Sequence, residues 1–233
     1  MGGSVPKPLI EILGRPMLDL VVDLHRPFVD RVVVIASPSG VAAIRAWADP
    51  RGIAVVEQES PTGMLDAVLL AAPAVAERRP DRVWITWADQ VAVLPRTVRQ
   101  LAEVETAPAE PALVFPTVMR RHPYIHFARD SGGRISAVLH RREGDVMPAE
   151  GEGDIGLFAM SRIAFEEDLA QYAAVAESGH GTGERNFLPF IPWLAQRKSV
   201  VTFPCNDPME AVGVNTPEDR TAVESWMRSR NSS

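Results

Sequence analysis

The sequence predicts an α/β chain whose centre is a doubly wound, mostly parallel sheet with helices on both faces. Three observations carry that reading. Short β-branched runs alternate with amphipathic stretches over the first hundred residues, as in successive βα units. The runs are continuously apolar rather than alternating, the mark of strands buried on both faces. The 233 residues, 46% hydrophobic and 23% charged, suffice for one large domain spanning 1–233.

The elements follow in order. Residues 31–36 (RVVVIA) form the first strand, and Ser37-Pro38-Ser39 opens a helix to Trp47, with a hydroxyl cap and a proline in its first turn. A strand over 53–57 leads to a helix over 63–77, and a strand over 82–87 to a helix over 95–103. The stretches 112–119, 124–129 and 134–140 are strand-like, with Asp130-Ser131-Gly132-Gly133 as a tight connection, so the sheet becomes mixed here. The acidic, glycine-containing stretch 141–153 reads as a mobile loop. A strand over 154–160, helices over 163–176 and 184–196, and a strand over 199–204 come next. The last helix, 217–228, has Thr216 as cap and Pro217 in its first position, and 229–233 is a polar tail.

Composition narrows the function. The formal charge is 24 − 30 = −6, without a basic tract, which argues against nucleic acid as a partner. The single Cys205 excludes an intrachain disulfide framework and cysteine zinc sites, in keeping with a reducing compartment. No apolar run approaches the ~20 residues of a membrane helix, and the opening residues lack the basic start and apolar core of a secretory signal. Together these predict a cytoplasmic protein.

Four segments can carry chemistry. Pro6 and Pro8 hold Lys7 in an extended segment, where its ammonium could meet phosphate oxygens or simply face solvent. Asp89 leaves the apolar run RVWITW where ligands gather in parallel sheets; it is either a Mg²⁺ ligand or a helix cap. Gln58 and Gly63 flank a strand-to-helix turn that suits a nucleotide, or is an ordinary βα connection. Asn215 precedes the capped last helix, as an oxygen donor to a metal or as part of the cap. The histidines at 25, 122, 126, 140 and 180 lack zinc-helix spacing, Cys205 reads as a packed thiol, and Gly-rich 179–183 reads as a flexible loop.

Taken in order, the segments PKPLIEILGRPML, QESPTGMLDAV, WADQ, YIHFARDSGGRI, DIGLFAM, GERNFLPFI and GVNTPED resemble the sugar-1-phosphate nucleotidyltransferase family. The likeness is to the uridylyltransferase domains that act on N-acetylglucosamine 1-phosphate and to the molybdenum-cofactor guanylyltransferase-like group. The resemblance implies an NTP transferase that joins a nucleoside triphosphate to a small phosphorylated acceptor and releases pyrophosphate. It implies Lys7 as the catalytic phosphate-holding cation, Asp89 and Asn215 as ligands of a Mg²⁺ cofactor, and Gln58 and Gly63 at the base. It places His140 and Asp154 on the sugar side, and it implies that Asp89 and Asn215 meet at the carboxyl end of the sheet.

Several positions depart from the family pattern: Met64 replaces a threonine, Ala88 a glycine, Ile125 a glycine, His140 a glutamate and Asp154 an asparagine. The last two predict an acceptor pocket not built for N-acetylglucosamine 1-phosphate. The family's leading strand and glycine-rich loop have no counterpart before Pro6, so Met1 is expected to be the methionine that closes that loop, internal to a longer reading frame. A chain lacking that strand is expected to be unstable. The alternative function is a non-catalytic nucleotide- or sugar-phosphate-binding module of the same fold.

Overall fold

The computed structural model describes residues 5–108 and 110–231. Around Lys7 the backbone is a 3-10 turn, Lys7–Leu9, and not the extended segment expected. Leu9 N–H donates to the Pro6 carbonyl at 2.8 Å, and Pro8 sits in the first turn, where a missing N–H costs nothing. The expectation for Met1 falls outside the described residues. Strands β1 (Glu11–Ile12) and β2 (Arg15–Pro16) make a minimal hairpin through Leu13 and Gly14, both at positive φ.

Helix α1 (Met17–His25), β3 (Val33–Ala36), α2 (Val41–Ala48) and β4 (Ala54–Glu57) follow. β3 and β4 are parallel, with Val33 opposite Ala54, and pack with Leu18, Val22, Ile44, Trp47 and Ile53. α2 starts at Val41 instead of Ser37, because 37–40 forms a turn in which the Ser37 and Ser39 hydroxyls face each other at 3.2 Å. The single helix expected over 63–77 is two, α3 (Met64–Leu69) and α4 (Ala72–Arg78). Pro73 has no N–H to give the Leu69 carbonyl, so the first helix stops there.

Then come β5 (Arg82–Thr86), α5 (Pro95–Glu105), β6 (Leu113–Arg121), β7 (Ile125–Arg129), β8 (Ile135–His140), β9 (Glu150–Asp154) and β10 (Leu157–Ser161). A wide turn over Ala164–Asp168 runs into α6 (Leu169–Ala173), followed by α7 (Phe190–Ala195), β11 (Val200–Pro204) and α8 (Pro217–Asn231). The stretch 141–153, expected to be loop throughout, ends in β9. The helix expected over 184–196 begins only at Phe190, because 184–188 is spent on contacts described below. The polar tail is helical through Asn231.

The sheet departs from the mostly parallel layer expected. Its order is β11-β6-β10-β5, with β9 also on β6. β10 runs antiparallel to β5 and β6, β9 antiparallel to β6, and β11 alone is parallel to β6. Among the described residues β3 pairs with β4 and not with β5, so the single layer expected is a mixed five-stranded sheet beside a parallel pair. Side chains on its central strands do alternate between two cores. Phe115, Phe158 and Met160 join one with Phe127, Phe165, Phe187 and Phe190, while Val114, Leu157 and Ala159 join the other with Val98, Leu101 and Phe203. Helices therefore cover both faces, as expected. Among the described residues no helix is long and apolar enough to cross a membrane.

Candidate active site

One apolar cluster assembles the site. Ile12 and Met17 come from the N-terminal segment, Val91 and Ala92 from the loop after β5, Val214 from the turn before α8 and Val223 from within α8, all buried together. Each fully buried side chain of this size contributes about 1.5–3 kcal/mol. Their packing fixes three distant stretches of chain against one another, and each stretch carries one polar residue at its exposed end.

Those residues are Lys7, Asp89 and Asn215. The Lys7 ammonium donates to Asp89 Oδ2 at 2.5 Å and to Asn215 Oδ1 at 2.7 Å. The backbone locks the two acceptors further: Val214 N–H donates to the Asp89 carbonyl at 3.1 Å, and Asn215 Nδ2 to the Gly213 carbonyl at 3.1 Å. The Asp219 carboxylate accepts from the N–H groups of Asn215 and Thr216, and the Thr216 hydroxyl accepts from Asp219 N–H. That is a reciprocal cap on α8, so the cap and the site share one turn. A Cβ on Gly213 would lie 3.3 Å from the Asp89 carboxylate, so backbone closes that side.

The other expected site residues make their own separate contacts. Pro6 packs where a Cβ on Gly40 would be, beyond the carboxyl end of β3. Gln58 follows β4; its N–H donates to the Ala36 carbonyl at 2.9 Å and its Nε2 to the Gly63 carbonyl at 3.1 Å. Asp154 closes β9, and its Oδ1 accepts from Gly156 N–H at 2.7 Å. Burial raises the Asp154 pKa, with the Gly156 bond opposing. Gly156, at φ +71°, lies under Trp87, where a Cβ would come within 2.5 Å of the indole. His140 stands edge-on to Tyr124 at 5.0 Å with its buried Nε2 unpartnered, and burial holds its pKa below the usual histidine value. An open depression of about 370 Å³ lined by Thr117, Glu152 and Cys205 includes none of these residues. Burial pushes the Cys205 thiol up to about 12, so it is the packed, protonated thiol expected.

A family model of the MobA-like NTP transferase domain matches residues 1–152. The chain belongs to this family. Lys7, Gln58, Gly63, Asp89 and His140 fall inside the matched stretch, and Asp154 and Asn215 beyond it. The bifunctional protein GlmU of Nitratidesulfovibrio vulgaris is 26% identical over 235 residues, 99% of this chain and 50% of that protein. GlmU of Thermodesulfovibrio yellowstonii is 24% identical over 237 residues, again 99% and 50%. The chain thus spans about half the length of the curated relatives it matches. A CMP:2-keto-3-deoxy-manno-octonic acid synthetase solved with CTP superposes with a TM-score of 0.66 at 16% identity, covering 98% of this chain and 95% of that one. HddC from Yersinia pseudotuberculosis, complexed with GMP-PN, gives 0.65 at 15%, covering 97% and 92%. At those identities the likeness is one of fold, and the fold is the α/β nucleotidyltransferase fold.

This NTP transferase-like chain also holds a feature that the sequence reading missed. The 179–183 loop is not loose but wraps the Glu143 carboxylate. Thr182 Oγ1 donates to it at 2.6 Å, Gly181 N–H at 2.8 Å and Asn186 Nδ2 at 2.9 Å. A Cβ on Gly179 or Gly181 would collide with Glu143 or the Arg142 carbonyl, so the repeated glycine was the available signal. Arg185 continues the clamp. It pairs with Asp66 at 2.5 Å, donates to the Ala173 carbonyl, and exchanges backbone bonds with Thr62 and Leu65. Phe187 then anchors the stretch against Trp87 and Phe158.

Glu143 yields a pH prediction. The Thr182 hydroxyl, with Gly181 N–H and Asn186 in support, lowers its pKa to about 2 from 4.5. A carboxyl depressed in the folded state stabilises it above about pH 4.5, and that contribution disappears as pH falls toward 2. Hydrogen exchange should show Gly181 and Thr182 amides losing protection across that window, ahead of the β6–β10 core. Glu143→Gln should bring the same loss at pH 7, at about 1.5–3 kcal/mol. Unchanged protection in that variant would remove the clamp from this account.

Proposed function

We propose that the chain is a nucleotidyltransferase that joins a nucleoside triphosphate to a small phosphorylated acceptor, a sugar 1-phosphate, with release of pyrophosphate. The observation that supports this best is the meeting of Lys7, Asp89 and Asn215 on one cationic centre. The GlmU relatives and the CTP- and GMP-PN-bound fold neighbours agree with a nucleotide partner.

The donor set fits Mg²⁺. Two protein oxygens already converge on one cation, the ammonium standing in for it. Among the described residues no cluster of three His, Cys, Asp or Glu makes a complete cage. That suits an ion taking its remaining ligands from phosphates and water. Bound there, Mg²⁺ supplies charge neutralisation for the triphosphate. The chain's own groups do the rest: Lys7 pairs with phosphate oxygens, and Gln58 and the Gly63 turn receive the base. An acceptor phosphate oxygen attacks the α-phosphorus in line. The new P–O bond forms as the α–β bridge breaks, and its electron pair leaves on pyrophosphate. The acceptor phosphate is already ionised at neutral pH, so no general base is required; positioning and screening of two anions are the task.

His140 and Asp154 face the acceptor in this reading. A neutral imidazole beside Tyr124 replaces the carboxylate that amino-sugar enzymes carry, so N-acetylglucosamine 1-phosphate should be a poor acceptor. A thermal-shift panel of nucleoside triphosphates with Mg²⁺, followed by pyrophosphate release over sugar 1-phosphates, tests both parts. A nucleotide shift without release would favour the binding module; no shift at all would end the reading. N-acetylglucosamine 1-phosphate as the best acceptor would overturn the roles given to His140 and Asp154.

A further inference from the structure

We infer that Lys7 is a built-in competitor for the divalent cation: its ammonium occupies the cation position until a triphosphate draws it away. This rests on the reading of Asp89 and Asn215 given above. The two short bonds, 2.5 Å to Asp89 Oδ2 and 2.7 Å to Asn215 Oδ1, use the oxygens a metal ion would need. Gly213 closes one side of the Asp89 carboxylate, and Asp219 holds the turn that presents Asn215. Asn215 is tied further through Nδ2 to the Gly213 carbonyl, so its Oδ1 stays directed at the ammonium. An ammonium and a divalent ion held together at Asp89 Oδ2 repel each other, so each weakens the binding of the other.

The lysine can leave, whereas its backbone cannot. Pro6, Pro8 and the 3-10 turn fix the main chain, while the Lys7 side chain is 42% exposed on a flexible four-carbon stem. A triphosphate offers oxygens to the ammonium and to the metal at once. Metal and triphosphate should therefore bind with positive linkage, each raising the affinity for the other by the same factor. The free protein takes up a divalent ion poorly, and the cation is admitted with its anion.

The test is Mn²⁺ binding to the full chain, followed by water-proton relaxation enhancement, with and without inorganic triphosphate. Lys7→Met should bind Mn²⁺ alone at least tenfold more tightly than the unsubstituted protein, and its gain on adding triphosphate should shrink to the share that comes from direct metal–phosphate bonds. Lys7→Gln serves as a second variant that keeps a polar side chain, and thermal melting confirms that both are folded. Equal Mn²⁺ affinity in the variants and the unsubstituted protein overturns the inference, whatever its size. In that case binding that appears with triphosphate and disappears in Asp89→Ala leaves the cation site standing. If no form binds Mn²⁺ even with triphosphate, this inference and the cation reading fall together.

Discussion

Asp89→Ala should lower pyrophosphate release by about a hundredfold or more while leaving the melting temperature nearly unchanged. The two halves of that expectation have separate origins. Asp89 contributes a carboxylate at the point where Lys7 and Asn215 meet. In the proposed reaction that charge holds the cation that screens the triphosphate, and loss of one well-placed electrostatic group typically costs 10²–10³ in rate. Stability is a different matter. The carboxylate's ion pair is with a half-exposed lysine, and exposed pairs contribute about 0–1 kcal/mol. The loop is held instead by the buried Val91 and Ala92 and by the Val214 N–H bond to the Asp89 carbonyl, neither of which needs the side chain. Steady-state pyrophosphate assays paired with thermal melting separate the two. Full turnover in a folded Asp89→Ala protein would show that the chemistry lies elsewhere.

The resemblance implied that Asp89 and Asn215 meet, though not that Lys7 joins them, and each of the three residues carries local punctuation. Two prolines bracket Lys7, Asp89 ends an apolar run, and Asn215 precedes a Thr-Pro-Glu-Asp helix start. Strand direction had no such mark. A run such as Leu157–Ser161 announces burial on both faces, but its antiparallel pairing with β5 and β6 depends on the short turn at Gly156 and on partners far away in sequence. β9 was hidden for another reason. Its sequence, EGEGD, alternates as a half-buried strand does, yet the inward positions are glycines and not apolar residues. Gly151 is inward because a Cβ there would meet the His126 ring at 2.6 Å, and Gly153 because it abuts the Ile125 carbonyl. A close approach of strands looks like loop composition when only hydrophobicity is read. The Glu143 clamp was missed in the same way, since glycines at 179 and 181 signal tight contact as readily as mobility.

Gly63→Ala should be the most damaging single-methyl addition at the site. Gly63 has φ +120° and ψ 175°, a region essentially closed to other residues, at a cost of about 1–3 kcal/mol. Strain is only part of it. The added Cβ would stand 2.5 Å from both the Arg185 N and O atoms, and those are backbone atoms that cannot swing aside. Relief requires the 58–63 loop and the 184–186 segment to separate, which breaks the Leu65 N–H bond to the Arg185 carbonyl and the Arg185 N–H bond to the Thr62 carbonyl. A combined loss of about 3 kcal/mol is expected. For a chain of this length that corresponds to a fall of roughly 6–12 °C in melting temperature. Gly52→Ala is the control: its φ is also positive, at +64°, but nothing lies within 4 Å of its added Cβ. It should cost only about 1 kcal/mol from the backbone. If Gln58 and the Gly63 turn receive the base, as proposed, Gly63→Ala should also weaken nucleotide binding at temperatures where the protein is still folded, because Gln58 Nε2 bonds the Gly63 carbonyl, and Gly52→Ala should not. Equal melting temperatures for the two variants would show that the contact between Gly63 and Arg185 does not hold these two segments together.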